Sequence, residues 1–112
     1  MATIKIKIYD VVGGGEFVDT SDGHKVHDLV AKAIESGDVA DLSFQGGTQI
    51  ITAFTNAAIG QLYNEFSEDE IRRHLRLTDL PDGFSDTLVK SINRAKRYFA
   101  NKDDADSIEE NE

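Results

Sequence analysis

Residues 3–9, Thr-Ile-Lys-Ile-Lys-Ile-Tyr, alternate along the chain. Ile4, Ile6 and Ile8 share one face and Lys5, Lys7 and Tyr9 the other, which predicts a half-buried strand. The lysines mark it as a sheet edge, because charge there discourages pairing with another chain. Gly13, Gly14 and Gly15 break the pattern, and Glu16-Phe17-Val18 reads as a short second strand. Thr20-Ser21-Asp22-Gly23 then offers cap candidates for a helix over about 23–36. Val26, Leu29, Val30, Ala33 and Ile34 recur at three and four, one apolar stripe, and Gly37 stands where a C-terminal cap belongs.

Residues 39–44 read as a further strand and Gly46-Gly47 as a turn. A helix over about 52–65 is lined by Phe54, Ala57, Ala58, Leu62 and Phe66, with Ala53, Ala57 and Gly60 small enough for close packing. Ser67-Glu68-Asp69-Glu70 is a capping pattern that opens a short helix ending near Arg73. Leu75, Leu77 and Leu80 suggest a buried strand at about 75–79, and Pro81-Asp82-Gly83 a turn. The last helix, about 85–101, buries Leu88, Ile92, Ala95 and Phe99 and turns Lys90, Arg94 and Arg97 the other way. Strands alternating with helices imply crossovers. The expected fold class is α/β: a small, mostly parallel or mixed sheet of about four strands, with three main helices packed mainly on one face.

The chain has 112 residues, 39% of them hydrophobic, which suits one domain with a modest core. With no cysteine, disulfides, Cys-ligated zinc and thiol catalysis are excluded. No apolar run approaches the ~20 residues of a membrane span, and the start lacks a signal-peptide pattern. A cytoplasmic location is expected. Charge is uneven. Six of the 21 acids lie in 103–112, leaving 15 acids against 12 bases in residues 1–102, a balance of −3. The domain is therefore placed at 1–102. The tail 103–112 holds too little apolar surface to offset its ordering entropy and is expected to be disordered. A body so nearly balanced argues against direct nucleic-acid binding.

Val39 to Phe66 resembles the central unit of the STAS fold of anti-sigma factor antagonists. More closely, it is similar to a bacterial family of STAS-like domains of unknown function. The residues that carry this are Asp41-Leu42-Ser43-Phe44, Ile51-Thr52-Ala53-Phe54 and Ala58-Ile59-Gly60-Gln61-Leu62. Gly15 through Ser21-Asp22-Gly23 lies upstream and Leu75-Arg76-Leu77-Thr78-Asp79-Leu80 downstream; together they extend the likeness over about residues 3–100. The resemblance implies a non-catalytic regulatory module. Its docking surface would be the Gln45–Phe54 loop and the exposed side of the next helix, and its partner a histidine-kinase-like ATPase. Thr48, Gln49, Thr52 and Asn56 are the polar partner-binding candidates. The antagonists' switch reads Asp-Ser-Ser/Thr-Gly, whereas this chain has Ile51-Thr52-Ala53-Phe54. The acid is gone, Ala53 occupies the usual phosphoacceptor position and Thr52 comes one residue early. Thr52 is thus a candidate phosphoacceptor or a plain N-cap hydroxyl.

Other clusters carry weaker chemistry. Gly13–Gly15 is followed by an acid and lacks the lysine of a phosphate loop, so it reads as a flexible connection. His24, His27 and Asp28 sit at helical spacing, but three ligands with no fourth read as a solvated face, and no metal or cofactor is expected. Arg72, Arg73 and Arg76 with Lys90, Arg94, Lys96 and Arg97 would make a basic patch, able to bind phosphates or an acidic partner, if the last strand and helix are neighbours; a solvated face is the plainer reading, and a small-ligand binder or enzyme using the patch a third hypothesis. No nucleophile is set with a base and its orienting group, so an enzyme is not expected. The rival reading is an acidic inhibitor that occupies the nucleic-acid-binding surface of another protein, motivated by the tail.

Overall fold

A computed structural model describes the backbone of residues 1–111 and the side chains of residues 1–100. The acidic stretch 103–112 lies outside the residues whose side chains are described. Strand β1 (Thr3–Lys7) runs directly into helix α1 (Ile8–Val12). The alternation of Ile4, Ile6 and Ile8 had suggested that the strand reaches Tyr9. However, Ile8, Val11 and Val12 also stand at helical spacing. Ile8 is wholly buried and both valines pack on the core, so the helical period wins there. The helix stops at Gly13, whose N–H donates to Tyr9 O at 2.9 Å.

Strand β2 (Glu16–Phe17) leads to helix α2 (Thr20–Glu35). The N-cap is Asp19, one residue before the expected candidates. Its carboxylate accepts the Ser21 N–H at 2.8 Å and the Ser21 hydroxyl at 2.7 Å. At the other end Gly37 follows the cap residue Ser36 at φ +79°, the left-handed conformation expected of it. Leu29 is 43% exposed, while Val26, Val30, Ala33 and Ile34 are buried, so the stripe is narrower than its spacing suggested.

Strand β3 (Val39–Ser43) is central. Only Asp41 in it is more than slightly exposed, as a parallel strand flanked on both sides requires. The three-stranded sheet has order β1-β3-β5, all parallel, with β5 spanning Leu75–Thr78. β1 is therefore an edge, as its lysines indicated. β5 is the other edge, and its leucines are half-buried rather than enclosed. Strand β2 does not join this sheet. It pairs in parallel with β4 (Gln49–Ile50), Phe17 opposite Ile50, to make a separate two-stranded sheet. One sheet of about four strands is thus replaced by two sheets. Two-residue strands carry no readable alternation, and β2 is held by where Phe17 is buried.

Phe17 is fully enclosed. Its ring lies 5.6 Å from Phe54, 6.1 Å from Phe84 and 6.4 Å from Phe44, centroid to centroid. These four rings join β2, the end of β3 and two helices in one cluster. Gly47 passes against it. A Cβ there would stand 2.6 Å from Phe17 Cε2 and 2.8 Å from Phe84 Cε2, so no side chain fits.

The expected helix over 52–65 is α3 (Thr52–Thr55), a π-turn (Asn56–Gly60) and α4 (Leu62–Glu65). Thr55, Asn56 and Gln61 at the joints keep right-handed helical dihedrals, so the pieces form one run. Gln61 N–H donates to Asn56 O at 3.1 Å, five residues back. Ala57, Ala58, Ile59 and Gly60 are all buried, because α2 packs on this turn from one side and the last helix from the other. Helix α5 (Glu68–His74) opens with the capping box expected at Ser67 and Glu70. Helix α6 (Phe84–Asn111) completes the order. With α1 and α5, the described chain has more helices than the three main ones expected.

Gly47→Ala is expected to destabilise the fold by about 1–3 kcal/mol, the usual cost of overpacking a filled core, read from urea unfolding. The Ser21 hydroxyl, then the Ser21 amide, hold the Asp19 carboxyl below its ordinary value of 3.8. A depressed carboxyl contributes stability above the unfolded pKa and loses it as pH falls through the folded one. Asp19→Ala should therefore lower the thermal midpoint at neutral pH, with the gap to wild type closing as the medium is acidified below the ordinary carboxylate value.

Candidate functional site

The segment 45–56 is fastened along its length. Thr48 donates both its N–H, at 2.8 Å, and its hydroxyl, at 3.2 Å, to Gly15 O. Gln49 N–H reaches the same carbonyl at 3.3 Å, and Ile51 N–H donates to Phe17 O at 3.2 Å. Gly15, the last of the three glycines read as a connection, is thus a backbone partner for this segment. Gln45, Thr48, Gln49, Thr52 and Ala53 remain exposed upon it.

The four partner-binding candidates fall into two groups. Thr48 borders a shallow concavity with Gly13, Gly14, Gly15 and Glu16. Thr52 and Asn56, one helical turn apart, both line a groove against α6. Gln49 is exposed on β4 between them. The N-cap of α3 is Ile51, in extended conformation and without a side-chain cap. Thr52 is the first residue inside the helix, so its hydroxyl is not the cap. The cap reading is corrected by one residue, because Ile51 N–H is already engaged by Phe17 O and the helical turn begins after it.

The groove has two adjoining lobes. One, of about 380 Å³, is lined by Thr52, Asn56, Lys90, Asn93, Arg94 and Arg97, with Ser91 behind them. The other, of about 420 Å³, shares Asn56 and Arg94 and continues along Gly60, Gln61, Asn64 and Tyr98. Among the described residues no carboxylate lines either lobe. The basic patch expected from the last strand and helix divides. Lys90, Arg94 and Arg97 enter the groove, whereas Arg72 pairs with Asp69 on its own helix at 3.5 Å, and Arg72, Arg73 and Arg76 line neither lobe. Gln61, Asn64 and Tyr98 were missed by sequence reasoning. Their signal was present: they lie off the apolar stripes of their helices, but nothing in the chain said that the two polar faces meet.

Beneath the groove lies a buried polar pair. The Thr55 and Ser91 hydroxyls are hydrogen-bonded to each other, and both side chains are almost fully enclosed. Thr55 Oγ1 also donates to Thr52 O at 3.1 Å. One hydroxyl proton therefore goes to the helix and the other closes the contact between helices, which fixes α3 against α6. Elsewhere, His27 turns to Glu65 and lies 3.1 Å from Asp28, while His24 stays exposed. Among the described residues no three His, Asp or Glu side chains converge on a metal position. No helix among them is long and apolar enough to cross a membrane.

Parallel strands joined by helical crossovers, with an exposed segment running into a helix start, make this a small α/β domain. The family profile of the STAS-like domain of unknown function (DUF4325) matches residues 22–82, and the chain belongs to that family. No curated protein and no solved structure matches it.

Thr55→Val strands the buried Ser91 hydroxyl and should cost about 1–3 kcal/mol, whereas Ser91→Ala leaves Thr55 bonded to Thr52 O and should cost less; the double variant should cost less than the sum, by chemical denaturation.

Proposed function

We propose that this domain is a non-catalytic regulatory module of the anti-sigma-antagonist type. It docks through residues 45–56 on a partner ATPase of the histidine-kinase-like superfamily. The observation that carries this reading is the fastening of the segment. Gly15 O and Phe17 O hold its backbone while Gln45, Thr48, Gln49 and Thr52 stay exposed. A ledge ordered before binding loses little entropy on docking. Its chemistry is that of a surface of hydroxyls and carboxamides. Thr48 and Gln49 supply hydrogen bonds at one end, Thr52 and Asn56 at the other. Thr52 is also the candidate phosphoacceptor. Thr52 is exposed at the first helical position and lines one groove with Lys90 and Arg94. A phosphate there would add charge at the edge of the docking surface and alter it without moving the fold.

The test is affinity capture from the native host with wild type and a Gln49→Ala/Thr52→Asp double variant, read by mass spectrometry. Wild type should retain a histidine-kinase-like ATPase and the variant should lose it. If both retain the same nucleic-acid-binding protein, the docking reading fails and that of an acidic inhibitor replaces it.

A further inference from the structure

We propose that the groove between the 52–65 helical run and α6 binds a small phosphorylated ligand. Its phosphate would sit at the Lys90–Arg94–Arg97 end and its organic part along Tyr98. This goes beyond docking and does not depend on it.

Three observations point the same way. The first is charge. Acids outnumber bases 21 to 12 in the chain, yet among the described residues no carboxylate lines the groove and three of the cations do. Lys90, Arg94 and Arg97 stand at i, i+4 and i+7, one stripe of like charge on a helix. Such a stripe repels itself, by a few tenths of a kcal/mol per pair. Among the described residues none of the three has an ion-pair partner. A bound dianion relieves that repulsion, and a guanidinium can grip two phosphate oxygens at once. Thr52, Asn56 and Asn93 add neutral hydroxyl and carboxamide donors around the same position.

The second is backbone. The π-turn falls at Asn56–Gly60, on the wall of the groove, and both of its end residues line it. Single π-turns inside helices are frequent at functional sites, since the extra residue re-aims the side chains around it. Here Asn56 borders both lobes and links them.

The third is size and continuity. Lobes of about 380 and 420 Å³ are each within the usual range for small-molecule pockets. The second lobe differs in chemistry from the first. Tyr98, 61% exposed and edge-to-face with Phe99 at 5.0 Å, offers an aromatic ring, and Gln61 and Asn64 offer carboxamides that both donate and accept. The Thr55–Ser91 hydrogen bond under the floor holds the two walls together. A ligand with a phosphate at one end and a planar, partly polar body fits this order of groups.

The test is an amide NMR titration at fixed ionic strength with phenyl phosphate, inorganic phosphate and phenol. Phenyl phosphate should give saturable shifts in both lobes. Inorganic phosphate should shift only the lobe around Thr52 and Arg94, more weakly, and phenol neither. A Lys90→Ala/Arg94→Ala variant, at exposed positions and checked for native folding by circular dichroism, should bind phenyl phosphate at least about tenfold more weakly, a loss of ~1.4 kcal/mol. Tyr98→Ala should bind it no better than inorganic phosphate. The proposal is overturned if phenyl phosphate produces no saturable shifts at millimolar concentration. It is equally overturned if the double variant binds as tightly as wild type.

Discussion

The burial of Phe17 is the constraint on which the arrangement rests. Two residues of strand cannot hold themselves in place, but a wholly enclosed phenyl ring in contact with three others can. Burying such a ring contributes roughly 1.5–3 kcal/mol. That contact fixes β2, and β2 fixes β4 by pairing. The carbonyls of Gly15 and Phe17 then hold Thr48, Gln49 and Ile51. The exposed ledge at 45–56 is thus ordered from below by an aromatic cluster it does not itself expose. Phe54 and Phe84, in the same cluster, place the starts of α3 and α6, so the ledge and the groove share one anchor.

The 52–65 run is enclosed between α2 and α6. A helix so placed must be apolar nearly all round, and Phe54 through Leu62 is, apart from Thr55, Asn56 and Gln61. Those three exceptions explain the site. Thr55 spends its polarity on Ser91 within the core. Asn56 and Gln61, at the two ends of the π-turn hydrogen bond, border the groove. Packing and polarity are reconciled by one extra residue in a helical turn. The surface that results has the composition of a binding face, which agrees with the regulatory role proposed for a STAS-like domain.

Much of this was legible in the chain because it is local. The edge position of β1 follows from Lys5 and Lys7, the capping box from Ser67 and Glu70, the left-handed turn from Gly37, and the parallel order from strands alternating with helices. Where two local signals competed, at Ile8, alternation and helical spacing fitted the same residues, and burial decided. The Asp19 cap and the helical place of Thr52 differ from expectation by a single residue, since neighbouring polar side chains offer equivalent hydrogen-bonding groups.

The sequence by itself determined the α/β class, the family, most element positions and the ledge residues Thr48, Gln49, Thr52 and Asn56 as polar groups near a helix start. Only the tertiary structure decided that Phe17 leaves the main sheet, that Gly15 serves as a backbone partner, and that Arg94 and Asn56 line one groove. Hydrophobic period and capping act over a few residues and are written in the chain. Which polar faces oppose each other depends on how distant apolar surfaces close, and no local pattern encodes that.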